Sequence, residues 1–123
     1  MGLDTYAARL RGGNVFFLSD DDKNAFAKAG LNHLCYGIFS AAPWAFRGKV
    51  YNALVVEVTG VSLYQEYIQP CTVVEMAEKL GQLDAKRTAD LSDRYSRSVD
   101  EIRDLIKFFA ICAERGLGLV GWW

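Results

Sequence analysis

The chain has 123 residues, 51% of them hydrophobic and 24% charged, enough for a single globular domain over residues 1–123 with a core of its own. Its net charge of −1 removes the general attraction to phosphate backbones, so no nucleic-acid partner is expected. Cys35, Cys71 and Cys112 are scattered and odd in number, there is no basic-then-apolar leader, and no apolar run reaches membrane length. A disulfide framework, a zinc ribbon and a membrane partner are thereby excluded, and a soluble cytoplasmic protein is expected.

In chain order, residues 3–7 read as a strand, Arg11-Gly12-Gly13-Asn14 breaks the chain, and residues 15–18 read as a second strand. Ser19 with Asp22 three residues on opens a short, peripheral helix that carries Phe26 and ends near Gly30. Residues 31–43 have no clear period and read as a buried irregular connection. Tyr51, Leu54, Val55 and Val58 fall at helical steps, so residues 47–59 are expected to be helix, closed at Gly60-Val61 in a Schellman ending. The β-branched Val50, Val55, Val56 and Val58 would also suit a strand there.

Ser62 with Gln65 and Thr72 with Glu75 have the letters of capping boxes, which predicts a helix of one or two turns and then a longer one, separated by Pro70. The longer one places Val73, Met76, Ala77 and Leu80 on one face and stops near Gly81. Residues 82–97 mix Lys86, Arg87, Arg94 and Arg97 with Asp84, Asp90 and Asp93, a solvated connector with a helical turn at residues 91–95. Ser98 and Glu101 form a third capping box, and Ile102, Leu105, Ile106, Phe109, Ala110 and Ala113 make an apolar stripe that ends at Gly116, with Asp104 and Lys107 facing outward. Residues 117–123 read as a strand lying beside residues 3–7. The fold class is therefore α+β, one mainly helical domain with about five helices and a small sheet joining the N- and C-terminal strands.

The chemistry-bearing residues are few. Gly116-x-Gly118-x-x-Gly121 has the dinucleotide letters in the wrong order, helix before glycines, and names no cofactor. Asp20, Asp22 and Asn24 start a calcium-loop pattern that Ala25 and Leu31 break, leaving the acidic first turn of a helix and no metal site. His33 and Cys35 could in principle form a nucleophile, but no catalytic motif accompanies them, and a structural role is the simpler reading. Arg47, Gly48 and Lys49 put two cations and a glycine where a helix begins, the end at which its dipole disfavours positive charge. They could hold a phosphate or carboxylate ligand, with His33 and Tyr36 in the same pocket, or pair with Asp4, Glu66 or the Asp20 to Asp22 cluster. Tyr64, Tyr67, Trp44, Trp122 and Trp123 are core or a partner surface, and a chain ending in two tryptophans suits a two-fold interface.

Four stretches, Met1-Gly2-Leu3-Asp4-Thr5-Tyr6, Phe46-Arg47-Gly48-Lys49-Val50-Tyr51, Thr59-Gly60-Val61-Ser62-Leu63-Tyr64-Gln65-Glu66 and Cys112-Ala113-Glu114-Arg115-Gly116-Leu117-Gly118-Leu119, together resemble a set of small uncharacterised bacterial proteins. The resemblance implies a small bacterial family of the kind carried on mobile gene cassettes, and it carries over no catalytic or binding residue.

These readings lead to a non-catalytic binding or accessory protein that self-associates or binds a protein partner, with Trp122 and Trp123 as interface residues. The alternative is a small-ligand protein or an enzyme acting on an anionic metabolite through Arg47 and Lys49.

Overall fold

The computed structural model describes residues 2–11, 13–37 and 42–123. Among these, β1 (Asp4–Arg11) turns back into β2 (Asn14–Phe16), and α1 (Asp20–Ala29) follows. After an irregular passage come β3 (Ala45–Phe46), α2 (Gly48–Thr59), β4 (Tyr67–Ile68), α3 (Pro70–Gly81), α4 (Ala85–Tyr95), α5 (Val99–Arg115) and β5 (Gly118–Trp122). The two ends of the chain meet in the sheet as expected. β1 and β5 pair antiparallel from Asp4 opposite Trp122 to Ala8 opposite Gly118, in the strand order β2-β1-β5-β4, with β3 also on β1. β5 is thus paired on both edges, which suits its buried Leu119 and Val120.

The helices cover one face of this sheet. Phe26, Phe46, Tyr51, Phe108 and Phe109 are fully buried there, and Phe108 meets Phe26 and Phe46 at ring distances of 5.0 and 4.9 Å. α5 is the central element and packs most extensively on α3. Its capping box at Ser98 and Glu101 is formed, and Leu117 N–H donates to Cys112 O at 2.8 Å with Gly116 left-handed, a Schellman ending. Its buried surface differs from the expected stripe: Phe108, Cys112 and Asp104 are buried while Ala110 is exposed. The reason is that α1 and α4 both contact α5 besides α3, so the buried arc is wider than a one-sided helix would have.

Four further expectations are corrected. The Ser62 and Gln65 letters open no helix; Asn52 Oδ1 takes the Leu63 N–H at 2.7 Å, Ser62 Oγ takes that of Tyr64, and the chain continues into β4. The Thr72 and Glu75 letters lie inside α3, which begins two residues earlier with Pro70 at its first position, where a missing N–H costs nothing. The connector is a full helix, α4, capped by Asp84 and anchored by buried Thr88 and Leu91. α2 ends in a left-handed Gly60 whose N–H bonds to Val56 O, a simpler ending than a Schellman motif. Ile38, Phe39, Ser40 and Ala41 of the expected connection, Gly12 of the expected turn and Met1 lie outside the described residues. No helix among the described residues is long and apolar enough to cross a membrane.

α1 is short but not peripheral. Its Asp22 is fully buried and closes a capping box with Ser19. Arg9 of β1 donates to both of its oxygens at 2.8 and 2.9 Å, and Arg115 at the end of α5 donates at 2.7 Å. Burial alone would raise the carboxyl pKa, but hydrogen bonds from Arg9, Arg115 and Ser19 outweigh it and bring it from 3.8 down to about 2. A folded value below the unfolded one means stabilisation that is complete above the unfolded pKa and lost as pH falls through the folded one. The difference corresponds to about 2 kcal/mol, and Asp22→Asn, which leaves two guanidinium groups without their partner, should cost roughly 3 kcal/mol at neutral pH. Urea unfolding of the two proteins checks this: the gap between them should close as the pH falls from about 4 to about 2.

Candidate functional site

The residues singled out in the sequence fall in three places. The first is the start of α5. Asp104, one turn in and buried, accepts the backbone N–H of His33 at 2.9 Å and faces His33 Nδ1 at 3.0 Å. The other ring nitrogen, Nε2, lies 3.8 Å from a carboxylate oxygen of the exposed Asp100. Asp104 is therefore not the outward-facing residue expected, because His33 reaches it from the passage after α1. Tyr36 is exposed and makes no such contact among the described residues.

Beside this pair stands a second group that the sequence did not suggest. Cys35 N–H donates to the phenol oxygen of Tyr51 at 2.9 Å, and the Tyr51 hydroxyl donates to Glu101 Oε2 at 2.7 Å. Arg97 lies 3.4 Å from the same oxygen and 3.7 Å from Cys35 Sγ, while Ser98 holds Oε1. Burial opposes the charge on Glu101, yet the hydrogen bonds from Tyr51 and Ser98 and the Arg97 charge keep its pKa below the ordinary value. Burial, reinforced by Cys35 and Glu101, pushes the Tyr51 phenol up. The capping glutamate of α5 thus also fastens α2 and the passage around Cys35. Its lone pairs are taken by these donors, and among the described residues no hydrogen bond joins Cys35 to His33.

The second place is the start of α2. The Arg47 N–H donates to Cys35 O at 2.9 Å and the Lys49 N–H to Leu3 O at 3.1 Å, so two amides that an anion would need are taken by the chain itself. Gly48 is buried, and a Cβ there would overlap Thr5 Oγ1 and touch Leu3 at 3.0 Å; its glycine serves the approach of α2 to β1. Neither Arg47 nor Lys49 forms an ion pair among the described residues. Asp22 is taken by Arg9 and Arg115.

The third place is the end of the sheet at β4 and β5. Tyr64, Tyr67, Trp122 and Trp123 are between 41% and 54% exposed, which places them outside the core. Trp123 meets Tyr64 edge to face at 6.0 Å, and Tyr67 and Tyr6 both stand opposite Val120 on neighbouring strands. Tyr6, Ala8, Leu10 and Val120 form a small apolar cluster on this outer face of the sheet, and no helix residue belongs to it. The dinucleotide letters find a packing role here. Gly118 lies under Leu10 and against Ile68 O, and Gly121 against Gln65 O, where any side chain would collide with the neighbouring segment.

In comparisons with known proteins the chain matches no family model, no curated protein and no solved structure, so its sites are read from their own geometry.

The assignment of Gly48 can be checked by stability. Gly48→Ala should cost roughly 1 to 3 kcal/mol in urea unfolding, because β1 cannot yield to a new methyl group. Thr5 Oγ1, buried without a hydrogen-bond partner among the described residues, should be dispensable, and Thr5→Val should unfold at the same or higher urea. A Gly48→Ala protein as stable as the parent would contradict the contact.

Proposed function

We propose that the protein is a non-catalytic binding protein that associates with a second copy of itself through the β4 and β5 end of its sheet. The observation that carries this reading is the exposure of Tyr64, Tyr67, Trp122 and Trp123, four large aromatic side chains in one region. Aromatic rings lose much by standing in water and little by being ordered, which is why they anchor interfaces. The adjoining outer face supplies an apolar continuation through Tyr6 and Val120. A patch at the β4 and β5 end is also suited to a two-fold contact, in which each copy presents the same residues to the other.

The reading of an anionic metabolite at Arg47 and Lys49 has in its favour that neither cation has a carboxylate partner among the described residues. The committed amides and the packed Gly48 give it less support than the aromatic patch has.

Mass in solution tests the proposal. The parent should be a dimer or larger at micromolar concentration, and deletion of Trp122 and Trp123 should weaken association about 30-fold or more, the usual consequence of losing an interface tryptophan. Helix content by circular dichroism should be retained. A parent that stays monomeric over the whole range, or a deletion that unfolds the chain without a smaller species appearing, contradicts the proposal.

A further inference from the structure

A cleft opens on the sheet edge away from β4. β3 pairs with Thr5 and Tyr6, and β2 with Arg9, Leu10 and Arg11, so Ala7 and Ala8 lie between two partner strands that share one edge of β1. Trp44, whose carbonyl takes the Ala7 N–H at 2.9 Å, forms one wall. Phe16, Phe17, Leu18 and, from the first helical turns of α1, Lys23 line the cleft as well. The cleft holds about 370 Å³, within the range of roughly 300 to 1,000 Å³ typical of small-molecule sites.

Two features distinguish it from a surface dent. Phe17 is 98% exposed, a large ring held in water at the rim. Lys23 is the one charged residue among the described lining residues; its ammonium lies 5.4 Å from the Trp44 ring centre and forms no ion pair among the described residues. Asp20 and Asp21 stand on the same first turn but are exposed and outside the lining. A neutral apolar guest would cover the ammonium without replacing its water, and a cationic guest would be repelled. A guest with an anionic end gives the ammonium a charge-assisted partner while its apolar body covers the aromatic walls.

We propose that this cleft binds a small amphiphilic carboxylate, its apolar part against Tyr6, Ala8, Phe16 and Trp44 and its carboxylate on Lys23. The cleft shares Tyr6 with the outer face of the sheet, but none of Tyr64, Tyr67, Trp122 and Trp123 lines it. Calorimetric titration of the full chain with decanoate, below its micellar range, tests it. Decanoate should bind saturably at one site, decyltrimethylammonium should not, and Lys23→Gln should weaken decanoate binding about tenfold through loss of the charge-assisted contact. Phe17→Ala, at a position too exposed to affect folding, should also weaken it. No saturable binding of decanoate, equal binding of the cationic chain, or a Lys23→Gln protein that binds as the parent does would overturn the proposal.

Discussion

The buried carboxylate of Asp22 is the joint on which the arrangement depends. It belongs to α1, yet its hydrogen bonds run to the first strand and to the far end of the last long helix, so three elements distant in sequence meet at one side chain. A charge taken out of water is tolerable only where several donors replace the lost solvation, and here two guanidinium groups and the Ser19 cap do so. Removing the partner of either arginine would leave a charge without its counterpart. The same contact orients the start of α1, and Lys23, the next residue, is thereby set beside Trp44 in the lining of the cleft. Arg115 has two roles at once: it complements the dipole at the end of α5 and it anchors that end to α1.

A second carboxylate, Glu101, works in the same way at the opposite end of α5. As a capping residue it satisfies Ser98, and its free oxygen gathers Tyr51 and Arg97. The two ends of the central helix are therefore tied by charge to the elements that flank it, while Phe108 and Phe109 hold its middle by apolar packing. The exposed group of Glu57 with Arg87, Arg94 and Tyr95 links α2 to α4 from outside.

Local signals were legible wherever local chemistry decided the outcome. Ser19 with Asp22 and Ser98 with Glu101 are true capping boxes, and Gly30, Gly60 and Gly116 all end helices in the left-handed conformation. The letters at Ser62 and Thr72 failed because a longer-range partner won: Asn52 captures the Leu63 amide, and Pro70 starts α3 before Thr72 can cap it. The α4 helix was hidden by its charges, since Thr88 and Leu91 are its only buried residues. His33 was visible as a candidate, but Asp104 lies 71 positions away, and no periodicity reports a pairing of that separation. The cleft was illegible for the same reason, because it exists only where β2 and β3 share an edge of β1.

The functional account rests on the exposed aromatic end of the sheet meeting a second copy. Amide hydrogen exchange at low and high protein concentration tests this directly, because an interface protects only the residues it covers. Protection of residues 64–67, 122 and 123 is expected to rise with concentration while that of α5, already buried within one chain, does not change. Exchange at the β4 and β5 end that is independent of concentration, up to the solubility limit, would contradict it.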